Sequence, residues 1–155
     1  DWPVAENKYE EFLNLEKNAN SFSERAKYSY AKACYMNKNY DKAIALFLDI
    51  RKNSVVDDYK KAADYFLGKI SLVKSLATPA KQYYMSYMKN VPTGTYSLNI
   101  AFDAMEMPLN EQEAVLVSKI FLANQKYDEA IDVLKKIPKE KCWTYLAIAN
   151  YYKND

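Results

Sequence analysis

The residues in this chain whose type and spacing point most directly to chemistry are three lysines. Lys32, Lys69 and Lys119 each follow a small residue, Ala31, Gly68 and Ser118, inside an apolar-periodic stretch. An ammonium group repeated at one register recognises carboxylates, so the implied chemistry is binding of a carboxylate or an acidic segment. Arrangements that make and break bonds are missing. The sequence has no His, which removes Ser-His-Asp and Cys-His catalysis and the commonest general base near neutral pH. Its two cysteines, Cys34 and Cys142, lie far apart without C-x-x-C spacing, so neither a zinc site nor a disulfide framework is expected. Each falls where a free Cys behaves as a small buried hydrophobe. Thr93-Gly94-Thr95 has a single Gly and no adjacent Lys-Ser or Lys-Thr, so it is no phosphate loop. The pairs Glu10-Glu11 and Asp57-Asp58 are adjacent in sequence, and a helix splays such neighbours about 100° apart. The expectation is a non-enzyme without cofactor or metal.

The elements that position the lysines show themselves as an internal repeat. Ala31 and Ala43 recur at the same spacing as Gly68 and Ala80 and as Ser118 and Ala130, each second member followed four residues on by Phe47, Tyr84 or Leu134. A small residue lets two helices approach closely, and the bulky one fills the space a turn further on. The unit is therefore an antiparallel helical hairpin. Composition agrees: half of the 155 residues are hydrophobic, while two Gly and five Pro leave few tight turns for short strands. The fold class expected is all-α, one domain of stacked hairpins over residues 1–155.

Along the chain, a leading helix is expected over 3–18, with Pro3 in its first turn and Tyr9, Phe12 and Leu13 on one face. Hairpin 1 covers 22–53, with Ser23 as an N-cap and Ala26, Tyr30, Ala31 and Cys34 facing inward. Tyr40 then opens a helix whose stripe is Ala43, Ile44, Phe47, Leu48 and Ile50. Hairpin 2 covers 57–91, capped by Asp57 or Asp58, with Ala63, Phe66, Leu67, Ile70 and Val73 inward, then restarted by Thr78-Pro79 with a stripe of Tyr83, Tyr84, Tyr87 and Met88. The first two hairpins are offset by 37 residues and the next by 50, so material is inserted. The insertion, 95–107, reads as a short helix with Leu98, Phe102 and Met105 on one side, against an extended alternative in which Tyr96, Leu98, Ile100 and Phe102 alternate. Hairpin 3 covers 110–137, opened by a capping box of Asn110 and Glu113 and turned by Tyr127. A terminal helix over 139–153 carries Trp143, Tyr151 and Tyr152 with nothing to cover it, which suggests an edge for self-association or a piece of a longer solenoid.

These residues resemble the tetratricopeptide repeat family. The matches are Tyr30-Ala31 with Tyr40, Ala43 and Phe47; Leu67-Gly68 with Ala80, Tyr84 and Pro92; Val117-Ser118 with Phe121, Tyr127, Ala130 and Leu134; and Trp143 with Leu146-Ala147. The phrases Asn39-Tyr40-Asp41-Lys42-Ala43-Ile44 and Lys126-Tyr127-Asp128-Glu129-Ala130-Ile131 carry it most clearly. The departures are the offsets of 37 and 50 against a strict 34 and an early Pro138. The resemblance implies a short right-handed solenoid. It also places the three lysines on the inner, concave groove, with Arg25, Tyr28, Tyr35 and Met36 beside the first, Tyr65 and Leu72 beside the second, and Gln112, Val115 and Leu122 beside the third. Such grooves hold an extended or helical partner segment, so the function expected is a protein-interaction scaffold with an acidic protein or peptide partner. The alternative is the helical superhelix region of a larger enzyme such as a soluble lytic transglycosylase.

The formal net charge of +2 gives no chain-wide attraction to nucleic acid. No apolar run is long enough to span a membrane, and no signal peptide is visible at the start. Compartment stays open between cytoplasm and, after removal of a signal peptide, periplasm.

Overall fold

The computed structural model describes residues 1–15, 21–94 and 96–153, and among them every regular element is helical. Their order is α1 (Trp2–Leu15), α2 (Ser21–Met36), α3 (Tyr40–Asn53), α4 (Asp57–Val73), α5 (Ala77–Asn90), α6 (Ser97–Met105), α7 (Glu111–Ala123) and α8 (Tyr127–Leu134). A 3-10 turn (Lys139–Lys141) then leads into α9 (Trp143–Lys153). No helix among the described residues is long and apolar enough to cross a membrane. Residues 16–18 of the expected leading helix, and Thr95 of the insertion, lie outside the described residues.

Three turns share one geometry. After α2, α4 and α7 the chain reverses through Lys38, Ser75 and Gln125, each with φ near +60°. At each, two backbone N–H groups reach back to carbonyls of the helix just ended: Asn39 to Cys34 (2.9 Å) and Lys38 to Tyr35 (3.0 Å), Leu76 to Ser71 (2.8 Å) and Ser75 to Leu72 (2.8 Å), Lys126 to Phe121 (2.9 Å) and Gln125 to Leu122 (3.1 Å). This is the left-handed helix stop usually given to Gly. The three residues are offset by the same 37 and 50 as the small residues. Those small residues are all buried: Ala31, Ala43, Ala80, Ser118 and Ala130 have no exposed surface, and Gly68 lies within α4's buried face.

The chain forms two compact units, Asp1–Tyr83 and Tyr84–Asp155, with the boundary inside α5. Unit 1 packs around an aromatic core. The rings of Phe47 and Phe66 stack with centroids 4.8 Å apart, among Tyr30, Ile50, Leu67 and Ile70. Tyr9, Tyr28, Tyr35, Tyr40, Tyr59, Tyr65 and Tyr83 lie half-buried around it. Unit 2 is mainly aliphatic, with Ile100, Val117, Ile120, Val133 and Leu134 closed off around Tyr84 and Phe121.

Several local expectations need correction. Ser23 lies within α2, which begins at Ser21, and so is no N-cap. Asp57 and Asp58 occupy the first turn of α4 while Val56 holds the cap position. The Ser54 hydroxyl accepts from the Val56 N–H (3.1 Å) and closes the preceding turn, leaving the two carboxylates to favour the positive helix end. Thr78 is already inside α5, which starts at Ala77. Val73 and Leu48 face outward. The insertion is helical, but its buried face is Ser97, Ile100, Ala101 and Ala104. Small residues allow the closest approach, so Phe102 is left at the rim, its ring 5.1 Å from Phe121. The Asn110 capping box is formed: Glu113 N–H donates to Asn110 Oδ1 (2.9 Å), and Asn110 N–H to Glu113 Oε2 (2.8 Å).

Candidate functional site

On α2, Lys32 sits one turn after Tyr28, and its ammonium lies 5.6 Å from the centre of that ring. On α4, Lys69 and Tyr65 repeat the pair at the same register, 6.0 Å apart. The i,i+4 spacing puts both members on one stripe of each helix, and the ring quadrupole attracts the cation. All four residues are half-buried, with the pairs on adjacent helices of unit 1. Tyr28 is fixed from the other side by Tyr59, stacked at 4.5 Å with the planes within 6°. Tyr65 meets Phe66 edge-on at 5.0 Å, and Tyr35 meets Phe66 edge-on at 5.2 Å. The tyrosines thus pack against the core on one side and carry the lysines on the other. Arg25 is exposed on α2, and Leu72 is half-buried near the end of α4.

Acids are sparse along these stretches of α2 and α4. Between residues 25 and 36 there is no acid, and between 61 and 73 the one acid is Asp64. Asp64 is buried and accepts from Arg51 Nε at 2.6 Å. Glu24, at the edge of the α2 face, accepts from the Ser54 hydroxyl. Lys61 is drawn to Asp57 one turn earlier, at 2.9 Å. Arg25, Lys32 and Lys69 are cationic positions on these two helices, and Lys27 is paired with Asp49 of α3.

The third lysine is placed differently. Lys119 is exposed on α7, and its ring partner, Tyr145 of α9 at 5.0 Å, lies on another helix. The position one turn before it is Val115. Beside Val115 opens a cavity of about 370 Å³, lined also by Glu111, Gln112 and Lys141. Gln112 is exposed and borders a second opening of about 190 Å³, toward Met85, Lys89 and Leu116. The proposed edge residues Trp143, Tyr151 and Tyr152 are 67%, 65% and 53% exposed on α9, with Tyr152 stacked on Tyr127 at 6.0 Å.

One polar cluster has no counterpart in the sequence reading. Glu6 of α1 is buried against the α2–α3 turn, where Asn37 Nδ2 and Asn39 Nδ2 donate to its two oxygens at 2.8 and 3.0 Å. The Asn37 hydrogen bond holds the Glu6 carboxyl below its usual range, against the opposing effect of burial. Lys42 donates to both oxygens of Glu10, at 3.0 and 2.9 Å, and its ammonium lies 5.3 Å from the Tyr30 ring centre. Burial pushes the Cys34 thiol up to about 12, with the Glu6 charge adding to it. A thiol so protected is a core group and not a nucleophile. Among the described residues, no group of three or more His, Cys, Asp or Glu side chains is placed to hold a metal ion.

No protein-family model matches this chain, and neither the curated proteins nor the solved structures yield a match.

Proposed function

We propose that this chain is a non-enzymatic protein-interaction module of the tetratricopeptide-like, solenoid-forming type, and that unit 1 holds an acidic segment of a partner protein against α2 and α4. The observation that carries this reading is the Tyr–Lys pair repeated at one register on two adjacent helices. The acid-free stretch of α2 and the burial of Asp64 support it, because a carboxylate arriving there meets no like charge. Holding each lysine over a ring limits its freedom before binding, so less entropy is lost when a partner arrives.

A partner segment with several carboxylates along it offers one to each lysine. The test is fluorescence anisotropy with a labelled peptide carrying Glu at every third position, beside the same peptide with Gln in those places. The expected result is binding of the Glu peptide about tenfold tighter, with the advantage shrinking as salt is raised. Equal affinity for the two peptides would overturn the reading.

A further inference from the structure

We propose that the cavity beside Val115 is a binding site for a tyrosine side chain presented by another polypeptide. Val115 stands one turn before the repeat lysine of α7, the register held by Tyr28 in α2 and Tyr65 in α4. In unit 1, Tyr28 stacks on Tyr59 in the first turn of the next hairpin, and two rings fill the space between those helices. In unit 2, Val115 faces Lys141, in the turn leading into α9, across an opening of about 370 Å³. That volume is at the lower end of small-ligand pockets and suits one ring with its flanking backbone.

The lining selects the ring. Val115 supplies apolar contact for its face, and the Lys141 ammonium supplies a cation for its quadrupole. The Gln112 amide oxygen and the Glu111 carboxylate can each accept the phenolic O–H. Lys141 and Glu111 are 3.8 Å apart and largely exposed, a loose ion pair from which either side chain turns to a guest at small cost. An aliphatic guest would use Val115 alone and gain nothing from the three polar groups. The cavity lies wholly within unit 2, so the inference stands apart from the acidic-segment reading of unit 1.

The test is NMR titration of the isotope-labelled chain with N-acetyl-tyrosinamide. Saturable amide shifts centred on Gln112, Val115 and Lys141 are expected, with a Kd on the order of 1 mM. N-acetyl-leucinamide is expected to bind about fivefold more weakly. Val115→Tyr, whose own ring fills the opening, is expected to abolish saturation. Lys141→Ala, at an exposed position that leaves the fold intact, is expected to weaken binding about threefold and serves if Val115→Tyr does not fold. Absence of saturable shifts, equal affinity for the leucine probe, or undiminished binding in the folded variants would overturn the proposal. A concentration-dependent dimer dissolved by Val115→Tyr would make a second copy the occupant and would overturn it equally.

Discussion

The face of α2 and α4 in unit 1 and the face of α7 in unit 2 start from the same repeat and end in different surfaces. In both, the repeated small residues are buried, and the first helix of each pair stops at a left-handed residue. One turn before the lysine, however, unit 1 has tyrosines that stay with the core and carry the cation, whereas unit 2 has a valine, an opening, and a ring borrowed from α9. The lesson is a division of labour within the repeat. Buried small residues set the hairpin, and the half-buried position between core and solvent sets what the hairpin can hold.

The largest expected effect separates the two cores. Phe47 is fully buried and stacked on Phe66, so Phe47→Ala should destabilise unit 1 by about 3–5 kcal/mol in urea unfolding. A cost below about 1 kcal/mol would show that the stacked pair does not organise that core. Next comes the Glu6 polar anchor of unit 1. Glu6→Ala leaves the Asn37 and Asn39 amides without their acceptor and should cost about 1–3 kcal/mol. Its carboxyl titrates below the ordinary 4.5 in the folded chain, so the stability it contributes is complete above that value and lost as pH falls through the lowered one. Glu6→Gln should therefore flatten the loss of stability between neutral pH and acid, and an unchanged acid slope would place the sensitivity elsewhere. The smallest effect addresses what the units share. Lys38→Gly, Ser75→Gly and Gln125→Gly should each stabilise by about 0.5–1 kcal/mol, because Gly adopts φ near +60° without a Cβ penalty. Destabilisation by any of them in thermal melts would mean that side-chain contacts outweigh the backbone strain there.

Much of this was legible wherever the signal is local or periodic. The Asn110–Glu113 box is a four-residue signature, and the repeated small residues are buried as their spacing implies. The turns were harder to see, because a left-handed stop is normally announced by Gly, and here Lys, Ser and Gln fill it. Their shared register with the repeat was the available clue. The Tyr28–Lys32 and Tyr65–Lys69 pairs were within reach of an i,i+4 reading, but Lys119 and Tyr145 meet only through the packing of α9 on α7. The Glu6 cluster joins residues 31 and 33 apart, which no local pattern encodes. In the inserted helix Leu98, Phe102 and Met105 share one side, while burial follows Ser97, Ile100, Ala101 and Ala104, whose small members permit close contact.

The measurement that tests the central claim most directly is the affinity of one Glu-bearing peptide for three folded proteins: the original chain, Lys32→Glu with Lys69→Glu, and Lys119→Glu. The expected result is a loss of about tenfold or more, at least 1.4 kcal/mol, in the double variant and a change of less than about twofold in Lys119→Glu. Equal losses in both, or a loss confined to Lys119→Glu, would contradict the assignment of the acidic segment to α2 and α4.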